Sequence, residues 1–169
     1  MTIAPFIGHN ERVSDLFGLI HSDVCGPLNV HERGHFLYFI TITDDFSRYG
    51  YVYLMRHKSE SFEKFKEFKN EMQNQLGKSI NAFRSDRGGE YLSQEFDDYL
   101  KECGRVSQLT PSRMPQWNGV SKRRNRTLLD MVRSMMTHAD LLNSFWGHAL
   151  ETATFTLNRV PSKFVQKTP

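Results

Sequence analysis

"FLYFITITDDFSRYGYVYLM", Phe36–Met55, decides the fold. Residues 36–45 are a nearly continuous run of β-branched and aromatic side chains, the pattern of a buried strand. Phe46, Ser47 and Arg48 read as a turn, and residues 49–55 as a strand pairing back in a hairpin. Upstream, "LFGLIHSDV" (16–24) is a short apolar run that ends in an acid. Downstream, Phe62, Phe65, Lys69, Met72 and Leu76 follow helical spacing, with Glu60 and Glu63 in the first turn and Gly77 where a helix stops. "SINAFRSD" (79–86) is a further strand ending in an acid, and "SQEFDDYLKECG" (93–104) a short helix closed by Gly104. Residues 105–110 read as a strand, "PSRMPQWNG" (111–119) as a Pro/Gly-punctuated loop, and 118–138 and 143–160 as two helices. Three strands, then helix, strand, helix, strand and two helices make an α/β fold, a mixed sheet flanked by helices.

Composition agrees with one domain. The 169 residues are 38% hydrophobic and 24% charged, with 13 Phe and 6 Tyr to fill a core. A net charge of +3 creates no global field, so any polyanion contact must come from local clustering. Cys25 and Cys103 lie far apart, which points to a reducing compartment without a disulfide framework. No apolar run reaches membrane-spanning length, and the first residues lack the basic and apolar regions of a signal peptide. The expected setting is intracellular, nucleus or cytoplasm, with no membrane partner. Residues 1–14 read as a loose segment and 15–169 as the domain.

Asp23 and Asp86 each follow a β run directly and precede glycine. Two carboxylates at strand ends suit divalent metals, which activate a nucleophile and stabilise a leaving oxygen in phosphoryl transfer. Glycine nearby lets a bulky backbone approach such a site.

Five stretches taken together carry a resemblance: "LIHSDVCGPL", "YFITITDDFSRYGYVYLMRHKSESFEKFKEF", "RSDRGGEYLSQEF", "QLTPSRMPQWNGVSKRRNRTLLDMVRSMM" and "FWGHALETATFTLNRVPSK". They resemble the catalytic core of a copia-type LTR retrotransposon integrase, close to plant elements, over about residues 14–169. The resemblance implies an RNase H-like fold with a five-stranded mixed sheet. It further implies Mg²⁺- or Mn²⁺-dependent two-metal strand transfer of element ends into target DNA, with pairing of cores as homodimers. Its metal-binding set is Asp, Asp and Glu, the last two separated by 35 residues. Asp23 matches the first and Asp86 the second. Thirty-five residues beyond Asp86, where the family has Glu in N-G-V-(S/A)-E-R-(K/R)-N-R, this chain reads "NGVSKRRNR", and the third acid is Lys122.

Lysine there reverses the local charge. At ~4 Å and an effective dielectric of ~20, a unit pair is worth about 4 kcal/mol, and roughly double against a divalent ion. Metal binding is therefore expected to be weak or absent and catalysis impaired. Asp130, eight residues on, is about 12 Å farther along a helix, and Glu90 already belongs to the family pattern.

Helical phase separates the last long helix into two faces. Leu128, Met131, Val132 and Met135 form an apolar stripe with Val120 preceding it, while Lys122, Arg126 and Arg133 fall within ~40° of one another elsewhere. With Asn118, this basic stripe is the expected contact for duplex DNA, through phosphates and without sequence preference. Arg123 and Arg124 point elsewhere and are expected to aid only solubility. His21, Cys25, His31 and His35 lack the Cys-x-x-Cys pairing of a zinc site, and Cys103 is expected as a small buried residue. Phe62, Phe65 and Phe68 on one helix, and Phe145, Trp146 and Leu150 on another, exceed what one sheet would obviously cover, which also points to a homodimer. The reading is an integrase core with a broken acid set. Its rivals are a domesticated DNA- or protein-binding module with an unknown protein partner, and a one-metal phosphodiesterase in which Lys122 positions water.

Overall fold

The computed structural model describes residues 15–29, 34–85, 93–104, 106–109, 119–140 and 142–160, the 106–109 strand by its backbone alone. The expected elements form in the expected order. They are β1 (Leu19–Cys25), β2 (Tyr38–Asp44), β3 (Gly50–Met55), α1 (Ser61–Leu76), β4 (Ala82–Ser85), α2 (Gln94–Glu102), β5 (Val106–Leu109), α3 (Gly119–His138) and α4 (Trp146–Leu157). Residues 1–14, Asp86, Glu90, Trp117 and Asn118 lie outside the described residues.

The five strands are ordered β3-β2-β1-β4-β5. β2 pairs antiparallel with both β1 and β3, while β4 is parallel to β1 and to β5. The hairpin closes on Asp44, whose Oδ2 accepts from Ser47 N at 2.8 Å and Ser47 Oγ at 2.7 Å, a local bond that makes the turn. Its Oδ1 accepts from Phe17 N at 2.9 Å and ties the entry to β1. α1 ends where Gly77 adopts φ 61°, the left-handed cap that glycine takes without a Cβ penalty. α2 begins at Ser93, whose hydroxyl accepts from Phe96 N at 3.2 Å.

Strand alternation divides the core into two layers. Ile20, Ile40, Ile42 and Phe83 face α1 and α2, meeting Phe65, Phe68, Met72, Phe96 and Leu100. Phe39 faces the other way, toward Leu128 and Val132 of α3 and Trp146, Ala149, Leu150 and Ala153 of α4. The two aromatic sets that exceed one sheet face are thereby largely covered within one chain. Phe65, Phe68 and Leu150 are fully buried, Trp146 packs on Phe39 with ring centroids 6.5 Å apart, and Phe62 meets Phe96 at 5.4 Å. The sheet has two faces and α2 supplies extra rings, so apolar surplus is no argument for a dimer. No described helix is long and apolar enough to cross a membrane.

Candidate functional site

β1 is a buried strand with polar residues in its middle. His21, Ser22 and Asp23 are all buried, an expensive arrangement unless each is bonded. Cys25 packs in the α3/α4 layer and Val24 in the α1/α2 layer, so alternation turns Asp23 toward α3.

Two α3 side chains meet it. Lys122 Nζ stands 3.5 Å from Asp23 Oδ2, the lysine side chain 51% exposed and the aspartate 8%. Asn125 Nδ2 donates to the same oxygen at 3.2 Å. The amide is oriented from behind: Asn125 Oδ1 accepts from the Thr41 hydroxyl at 2.7 Å, and Thr41 is the β2 register partner of Asp23. Lys122 and Asn125, three residues apart, share one helix face. Buried Asn125 fixes the carboxylate, while half-exposed Lys122 supplies charge at its solvent edge.

The remaining expected site residues divide. Arg126 and Arg133 are exposed on α3, Arg133 Nη1 bonding Asp130 Oδ1 at 3.2 Å. That pair also accounts for Asp130, which takes no part in the Asp23 cluster. Asp86 and Asn118 lie outside the described residues. Arg124 overturns its reading as a solubility residue. Its Nη1 donates to Arg48 O at 2.9 Å and its Nη2 to Asn158 Oδ1 at 2.6 Å, and burial pushes its pKa down to about 10. Asn158 also accepts from Gly50 N and donates to Gly50 O, both at 2.8 Å. Arg124 and Asn158 thus fasten α3 and α4 to edge strand β3. Cys103 is half-buried rather than buried, with Lys69 Nζ 2.9 Å from its sulfur.

Asn125 and Thr41 are the residues that sequence reasoning missed. The helical offset from Lys122 was a signal for Asn125; Thr41 had none without the strand register. His21, at first sight a metal-ligand candidate, has Nε2 2.7 Å from Asp45 Oδ1. Burial lowers its pKa, outweighing the opposing pull of Asp45, so the contact is a hydrogen bond of a neutral imidazole.

Comparison with known proteins shows the family. The family model for the integrase core domain matches residues 16–115, more than half of the chain. The chain belongs to the integrase core domain family. The Retrovirus-related Pol polyprotein from transposon TNT 1-94 of Nicotiana tabacum is 41% identical over 153 residues, covering 90% of this chain and 12% of the polyprotein. The corresponding protein from transposon RE1 of Arabidopsis thaliana is 32% identical over 149 residues, 87% of this chain and 10% of its own length. This integrase core domain therefore spans about a tenth of those polyproteins. Among solved structures, a simian T-cell lymphotropic virus intasome in complex with PP2A regulatory subunit B56 gamma aligns with TM-score 0.76 at 20% identity, over 95% of this chain and 55% of that one. The HTLV-2 integrase catalytic core domain in complex with magnesium, described as a trimeric form, aligns with TM-score 0.63 at 18% identity, over 89% and 91%. These likenesses establish the RNase H-like fold.

Among the described residues, Asp23 is the one acid of the implied metal set, and Asp86 lies outside them. At the Asp23 carboxylate the described neighbours are an ammonium at 3.5 Å and an amide N–H at 3.2 Å, both donors rather than ligands. A divalent ion needs additional oxygen ligands and loses energy beside a fixed positive charge. Among the described residues no group of three or more His, Cys, Asp or Glu could hold a metal ion.

Proposed function

We propose that this chain is the core domain of a copia-type retrotransposon integrase that retains non-specific binding of duplex DNA and has lost metal-dependent strand transfer. The carrying observation is Lys122 Nζ 3.5 Å from Asp23 Oδ2, where the family pattern calls for a third acid. The acid set then reads Asp23, Asp86 and Lys122, and the Mg²⁺ or Mn²⁺ pair binds weakly or not at all. The exposed stripe of Lys122, Arg126 and Arg133 on α3 supports a phosphate-reading surface, with Asn118 beside it in sequence. The domain is taken as residues 15–169, acting inside the cell, in the nucleus or cytoplasm. Pairing as a homodimer is part of the proposal on the strength of the family resemblance.

The test is a nicking and strand-transfer assay with pure protein in Mg²⁺ and in Mn²⁺. The expected result is no product above background from the unaltered chain, and tighter metal binding after Lys122→Glu. Robust metal-dependent cleavage that disappears in Asp86→Asn would overturn the proposal in favour of a one-metal phosphodiesterase.

A further inference from the structure

A second cluster of reactive side chains lies on the α1/α2 side of the sheet, away from Asp23 and independent of the DNA-binding reading. Cys103 follows the last turn of α2 as its cap residue, and Lys69 projects from α1. Lys69 Nζ stands 2.9 Å from Cys103 Sγ and 3.3 Å from the Tyr99 hydroxyl oxygen. Among the described residues no carboxylate pairs with this ammonium, so a thiol and a phenol are its partners. All three side chains are half-buried, within reach of a small oxidant. We propose that Lys69 and Cys103 form a redox switch, in which hydrogen peroxide joins Cys103 Sγ to Lys69 Nζ through a sulfenamide bond and staples α1 to α2.

The chemistry needs only these two groups and the peroxide. The thiolate is the nucleophilic form of a cysteine. Its sulfur attacks peroxide, the O–O bond breaks, and sulfur keeps one oxygen as a sulfenic acid. The departing hydroxide takes a proton from the Lys69 ammonium and leaves as water. The amine freed in this way lies beside the oxidised sulfur. Its lone pair forms the S–N bond, the S–O bond breaks, and the hydroxyl leaves with an amine proton as a second water. Sulfur gives up two electrons and peroxide accepts them. A sulfenic acid with no amine or thiol at hand persists or is oxidised further to sulfinic acid. The 2.9 Å contact supplies the amine before oxidation begins. Cys25 is no rival partner, because it packs in the α3/α4 layer, across the sheet from this cluster. The new bond closes the 34-residue separation between Lys69 and Cys103, a stretch that contains β4, and so restricts the unfolded chain.

The test treats the full chain with hydrogen peroxide and reads intact and peptide masses. The expected product is about 2 Da lighter than the reduced chain, the loss of two hydrogens. Digestion should yield a cross-linked peptide pair joining Lys69 to Cys103. Dithiothreitol should cleave that pair, its two thiols becoming a disulfide as the S–N bond returns to thiol and amine. The melting temperature of the oxidised chain should rise and fall back on reduction. Lys69→Gln keeps a polar side chain of similar reach but has no nucleophilic amine. It should form no bridge and should accumulate a Cys103 sulfenic acid, trapped by dimedone, or the sulfinic acid. Tyr99→Phe should leave the bridge intact. Sulfinic acid at Cys103 of the unaltered chain without a cross-link would overturn the proposal. So would a disulfide that includes Cys25, equal dimedone labelling of the unaltered chain and Lys69→Gln, or a Cys103 that stays reduced while methionines oxidise.

Discussion

Asn125 Nδ2 donates to Asp23 Oδ2 across 3.2 Å while its own oxygen accepts from Thr41 at 2.7 Å, so one amide joins α3 to the neighbouring strands β1 and β2. All three residues are buried, and the bonds hold the Asp23 carboxylate in place whether or not a cation is nearby. The Lys122 contact is different. With its lysine half exposed, it contributes on the order of 0–1 kcal/mol to stability. Its weight lies in the field that an approaching anion meets.

Asn125→Ala removes two buried hydrogen bonds, one to Asp23 and one from Thr41. The expected loss is about 1–3 kcal/mol of unfolding free energy in urea. Thr41→Val removes one bond of the same chain, and the double variant should lose less than the sum of the two. Strictly additive losses would show that the three side chains do not act as one unit.

Gly50 lies against Arg124, and a Cβ there would overlap the guanidinium. Gly50→Ala is therefore expected to destabilise by about 1–3 kcal/mol, the range for overpacking. In an Arg124→Ala background the same substitution should cost less, because the obstruction is gone. An equal cost in both backgrounds, measured by chemical denaturation, would place the strain in the backbone instead.

Tyr51 is half-buried on β3, its ring 5.0 Å from those of Phe68 and Tyr49. Burial, with smaller pushes from Tyr49, Glu71 and Asp44, raises its pKa to about 12 from 10.0. The unfolded chain ionises first, so this stabilisation is complete below pH 10 and is lost as pH rises toward 12. Partial solvent exposure reduces the effect to about 1–2 kcal/mol. Tyr51→Phe keeps the ring and should flatten that part of the alkaline stability curve. Denaturation at several alkaline pH values checks it, and an unchanged slope would contradict the assignment.

Arg126 and Arg133 share the exposed side of α3 but not the same surroundings. Arg133 bonds Asp130 at 3.2 Å, which offsets its charge. Arg126→Ala is expected to weaken duplex binding more than Arg133→Ala. It should also lower the slope of log affinity against log salt by about one. Equal effects from the two would show that the Asp130 pair does not survive against DNA.

Much of this molecule follows from local sequence. The β-branched run of β2, the spacing of Phe65, Phe68 and Met72, and the glycine after α1 each impose their element by steric and periodic rules that act over a few residues. The spacing from Asp86, together with the family resemblance, singled out Lys122, which the fold sets beside Asp23. What only the tertiary structure decided depends on register and packing between distant segments. Thr41 reaches Asn125 because β2 pairs with β1 in one register and α3 lies over that face. Arg124 is half-buried because the end of α4 and the start of β3 meet beside it, against any reading of a charge run as solvated surface. The aromatic residues that looked too many for one sheet fit because its faces bury separate layers, and which face a ring enters is set by strand pairing, a property of the whole chain.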